Sequence, residues 1–91
     1  MNKETRKRLS KLRDEVDSLK SQLLDFSEQA QEIRDEEDEK YNNLPDSLQE
    51  SKVGKSIMEG EESLDEIIYN FEQVESEFDT LLDSFEELIW S

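Results

Sequence analysis

Two stretches of the chain repeat apolar residues at alternating three- and four-residue steps. One runs through Leu64, Ile67, Phe71, Val74, Phe78, Leu81, Phe85 and Leu88. The other runs through Leu9, Leu12, Val16, Leu19, Leu23, Phe26, Ala30 and Ile33. Heptad spacing of this kind buries one stripe of a helix against another helix. The pattern predicts a helix over about residues 5–41, a loop over 42–54 and a second helix over about 56–90. Residues 1–8 are polar and read as a frayed end. Pro45 cannot continue a helix and pushes Leu44 away from helical angles, while Asn42 and Asn43 are natural stoppers. Pro45 to Ser51 can form a short helix of its own. Gly54 marks a further loosening, and Gly60 softens the start of the last helix.

Two seams of matched length around a proline-broken loop predict an all-α antiparallel helical hairpin, a coiled coil occupying one domain over residues 1–91. Pairing Leu9 with Leu88, Val16 with Leu81, Leu23 with Val74 and Ala30 with Ile67 makes every layer apolar. Charge favours the same direction. Lys3, Arg6, Lys7, Arg8, Lys11, Arg13 and Lys20 lie early in the first helix, and no basic residue follows Lys55. Folding back sets that basic stretch beside Glu75, Glu77, Asp79, Asp83, Glu86 and Glu87. Beside the second seam stand Ile68, Leu82 and Ile89 at sevenfold spacing, with Leu24 and Trp90 as further apolar surface. A face so widened asks for a second burial partner. Two hairpins joined as a four-helix bundle through Ile68, Leu82, Ile89 and Trp90 are the simplest answer, and a partner's groove is the other.

The composition fits long helices: 41% of residues are charged, with two Gly, one Pro, no Cys and no His. The absence of Cys suits a cytoplasmic location. No apolar run approaches a membrane span, and the early leucines belong to the first seam and not to a secretory leader. The net charge of -15 disfavours free nucleic acid and anionic membranes as partners and points to a protein with a basic surface. It also serves solubility.

Without His or Cys, the commonest general base, thiol nucleophile and transition-metal ligands are missing, so no enzyme, catalytic residue or cofactor is expected. The run Asp35, Glu36, Glu37, Asp38 and Glu39 would meet Glu59, Glu61 and Glu62 near the loop. Such oxygens could hold calcium or magnesium weakly. The chain lacks the calcium-binding Asp-x-Asp-x-Asp-Gly loop, however, and a straight helix fans its side chains apart, so no metal site is expected. Beyond Lys20 the chain carries a net charge of about -18 over a rod of about 50 Å, or one charge per ~3 Å, within a factor of two of duplex DNA. That acidic face is the candidate partner-binding surface. Tyr41, Leu44, Leu48 and Gln49 form the loop tip, which either caps the hairpin or docks a partner.

The run from Glu36 to Ser51, with Tyr41-Asn42-Asn43-Leu44-Pro45-Asp46-Ser47-Leu48-Gln49 at its centre, then Gly54 and an acidic heptad helix, resembles small helical proteins of phages and mobile elements in Gram-positive bacteria. The likeness covers about residues 33–91. It implies origin and carries no settled activity. By analogy with phage proteins that imitate DNA, it suggests a non-enzymatic inhibitor of a host nuclease or defence protein, acting by charge mimicry in the host cytoplasm. The alternative is a coiled-coil homodimer that scaffolds or chaperones a phage component.

Overall fold

Asn2 starts the first helix. Its side-chain oxygen accepts the Thr5 N–H at 2.8 Å, satisfying one of the donors that a helix start leaves free. Glu4 in the first turn complements the positive helix end. The cap overrides the fraying expected of residues 1–8. The computed structural model describes residues 1–91 as three helices: α1 (Lys3–Asn42), α2 (Asp46–Gln49) and α3 (Lys52–Ile89). There is no strand.

The turn between the long helices is built on Pro45. Its carbonyl accepts the N–H groups of Leu48 and Gln49 at 2.8 and 3.1 Å, which closes the single turn of α2. The next helix starts earlier than glycine placement suggests, at Lys52, and runs through both Gly54 and Gly60. Gly54 is a packing residue and not a loosening. A β-carbon there would fall 2.0 Å from the Gln49 carbonyl oxygen, so only hydrogen fits where α2 lies against α3. At Gly60 a β-carbon would meet nothing within 4 Å.

The helices α1 and α3 pack antiparallel along their length, giving a body 69 × 15 × 13 Å. Arg6 reaches the Ser91 main-chain oxygen at one end, and Arg34 pairs with Asp65 nearer the turn. This is the expected hairpin, turned by one residue. The buried and half-buried positions on α1 are Leu9, Ser10, Arg13, Val16, Lys20, Leu23, Ser27, Ala30, Arg34, Glu37 and Tyr41. On α3 they are Gly54, Ile57, Glu61, Leu64, Ile68, Phe71, Glu75, Phe78, Leu82, Phe85 and Ile89, with Glu86 at the edge. Half of each predicted seam is therefore inside. The other half forms an outer stripe: Leu12, Leu19, Phe26 and Ile33 on α1, and Ile67, Val74, Leu81 and Leu88 on α3. These eight are 38–54% exposed. The expectation that every layer between the helices is apolar is thus overturned, since Arg13, Lys20, Ser27 and Arg34 on α1 and Glu61 and Glu75 on α3 take places in the seam.

The rotation turns the apolar Ile68, Leu82 and Ile89 of α3 inward and sets cations of α1 against carboxylates of α3. Arg13, Lys20 and Arg34 each follow an apolar seam position by one residue. Turning the helices brings them to Glu86, Asp79 and Asp65 on the partner helix.

The two glycines make opposite predictions. Gly54→Ala should destabilise the chain by about 1–3 kcal/mol, because the added methyl must displace backbone. Gly60→Ala should stabilise it by about 0.5–1 kcal/mol through helix propensity alone. Urea melts followed by far-UV circular dichroism measure both.

Candidate functional site

The hairpin has two unlike long sides. Along one, ion pairs bridge the helices at heptad intervals: Arg13 with Glu86, Lys20 with Asp79 and Arg34 with Asp65. The bond from Arg13, helped by the Trp90 indole N–H at 2.8 Å, holds the Glu86 carboxyl below the usual range. Asp79 in turn raises the Lys20 ammonium. Ser27, the one small uncharged member of this row on α1, is buried. The Ile68 side chain lines the groove on this side together with Arg34, Asp65 and Glu72.

Along the other side runs the outer stripe. Leu12, Leu19, Phe26 and Ile33 each precede a member of the row Arg13, Lys20, Ser27 and Arg34. Ile67, Val74, Leu81 and Leu88 likewise precede Ile68, Glu75, Leu82 and Ile89. In antiparallel helices, stepping back one residue turns both rows toward the same side. Leu23 and Phe71 floor a shallow groove there, rimmed by Ile67 and Val74. Sequence reasoning missed this surface by assigning those residues to the hairpin interior. The heptad spacing of Arg13, Lys20 and Arg34 against Asp65, Asp79 and Glu86 was the signal that could have found it.

The predicted dimer face is correspondingly corrected. Ile89 is buried at 3% exposure, and Ile68 and Leu82 are half-buried between the helices. They belong to the hairpin's own core. Of that group only Trp90, at 77%, stands in solvent.

The acidic cluster divides between the helix faces. Asp35, Glu36, Asp38, Glu39, Glu59 and Glu62 are exposed, while Glu37 and Glu61 are half-buried. Lys40 donates to Glu37 at 2.8 Å, and Arg34 lies 3.9 Å from Asp35. No three carboxylates converge in a way that could hold a metal ion. Glu61 is the strained member. Its Oε1 is buried without a hydrogen-bond partner. Burial first, and the negative Asp38 second, raise its carboxyl above the usual range.

At the tip, the Gln49 side-chain amide donates to the main-chain oxygens of Tyr41 and Leu44, both at 3.2 Å. Tyr41, Leu44 and Gln49 are half-buried, and Leu48 is exposed. The turn is thereby closed by its own side chains. No helix is long and apolar enough to cross a membrane. No protein-family model matches the sequence, and neither a curated protein nor a solved structure matches the chain.

Glu61 sets a pH dependence with a definite sign. The folded chain holds its proton more tightly than the unfolded chain does. Stability is therefore lost as pH rises from the ordinary carboxylate range through Glu61's raised value. Glu61→Gln should raise Tm at pH 7 and leave it nearly unchanged at pH 3.5, read by thermal melts at both pH values.

Proposed function

We propose that the chain is an acidic helical interaction protein of phage or mobile-element type. It inhibits a nucleic-acid-binding protein of its host by presenting carboxylates where phosphates would lie. The observation that carries this reading is charge spacing on a rigid rod. A net charge of -15 over 69 Å is one charge per about 5 Å. Duplex DNA carries one charge per ~1.7 Å of axis and one strand alone one per ~3.4 Å, so the rod as a whole is closer in density to a single strand. Arg13 and Lys20 are already engaged by Glu86 and Asp79 toward the open end. Toward the turn, Glu36, Asp38, Glu39, Glu59 and Glu62 are exposed and have no cation within salt-bridge reach. A basic channel would release counterions on taking up such a surface, as it does with phosphate.

A second reading, a scaffold or chaperone for a phage component, is favoured by the outer apolar stripe. The two separate by which residues the activity needs. Charge mimicry depends on the exposed carboxylates, whereas a scaffold depends on residues such as Leu19 and Val74.

Immobilised chain incubated with host lysate tests the first reading. It should retain a basic nucleic-acid-binding protein, lose it between roughly 50 and 200 mM salt, and lose it to added duplex DNA. The fivefold variant Asp35→Asn, Glu36→Gln, Glu37→Gln, Asp38→Asn, Glu39→Gln should retain at least about tenfold less while keeping its helicity. Capture indifferent to both salt and DNA would count against mimicry.

A further inference from the structure

The outer stripe occupies the middle of one side of the hairpin, from Leu12 to Ile33 on α1 and from Ile67 to Leu88 on α3, and nothing within the chain covers it. We infer that a second copy of the same chain covers it, end over end, making an antiparallel four-helix bundle. Area, symmetry and charge each favour this occupant.

A compact monomer of 10.8 kDa exposes about 5,500 Å². This chain exposes 6960 Å², roughly 1,400 Å² more. The stripe's eight side chains, each about half exposed, offer on the order of 80 Å² apiece, or about 650 Å² per copy before any polar rim is added. A standard stable interface takes about 800 Å² per partner. The patch is also larger than soluble monomers ordinarily leave bare.

Its spacing is self-complementary. On α1 the stripe runs from Leu12 to Ile33 within a helix spanning Lys3–Asn42, so the two share nearly the same midpoint. A two-fold axis at that midpoint lays each evenly spaced row on its own reverse, as an isologous contact requires. The rows of the two helices then interdigitate as in other helix bundles.

Charge chooses the direction. The stretch bearing Lys3, Arg6, Lys7, Arg8 and Lys11 lies outside the stripe at one end. The acidic run 35–39 lies outside it at the other, at a similar distance from the midpoint. End-over-end pairing sets each basic stretch beside the partner's acidic run. Side-by-side parallel pairing would set acid against acid and base against base. The pairing engages the acidic run 35–39 that charge mimicry needs free, so the dimer and the mimic compete for that stretch, and the solution mass tests the dimer apart from any capture experiment.

Light scattering on the full chain at about 100 µM should return twice the 10.8 kDa chain mass. A spin label on Lys3→Cys should report an intermolecular distance of about 60 Å, the length of α1, in place of roughly 20 Å for a parallel pair. The double variant Leu19→Glu, Val74→Glu should weaken association by more than about 100-fold with its helical circular dichroism intact. Any mass other than two chains overturns the inference, as does a short Lys3 distance or a dimer indifferent to the double variant. Should that variant lose its helicity, the mass and the label distance of the otherwise native chain decide alone.

Discussion

The rotation of α1 against α3, marked by the meeting of Arg13, Lys20 and Arg34 with Glu86, Asp79 and Asp65, governs how the whole hairpin is presented. Singly, such half-exposed pairs contribute little to stability. Repeated at one edge of the seam, they accompany a rotation that also draws Ile68, Leu82 and Ile89 inward. The rotation decides which apolar residues face α3 or α1 and which face outward. Ile68, Leu82 and Ile89 are drawn in; Leu19, Phe26, Val74 and Leu81 are turned out. The rotation thus determines what the apolar side can do.

The turn adds a second constraint. Gly54 lets the backbone of Gln49 come against α3, while the Gln49 amide holds the Tyr41 carbonyl in the last turn of α1 and the Leu44 carbonyl just beyond it. One residue thereby ties all three helices at the point where the chain reverses. The cost of ordering a proline-broken segment is offset by hydrogen bonds that would otherwise need solvent. The carboxylates just behind it, on a tip held rigid in this way, keep a fixed spacing.

Helix content, direction and the break at Pro45 were legible because they rest on local signals: heptad repeats, helix stoppers and a basic stretch opposite an acidic one. The early start of α3 was not, because a glycine at position 54 reads as weakness unless the approach of Gln49 is known. Seam rotation was harder still. The apolar residues on α3 fill three adjacent rows, so hydrophobicity alone fits more than one rotation. Only the one-residue offset of Arg13, Lys20 and Arg34 from Leu12, Leu19 and Ile33 separates them. The acidic cluster was read as a set from proximity in sequence. Helical geometry sends Glu37 and Glu61 inward and their neighbours out, a division visible only once the rotation is known.

Trp90 gives the open end a property of its own. It is the single tryptophan, largely in water, and its indole N–H rests on the carboxylate that Arg13 also holds. Its emission is therefore an intrinsic optical gauge of whether the last turn of α3 stays clasped to the start of α1. It reads that end separately from the amide signal averaged over both helices.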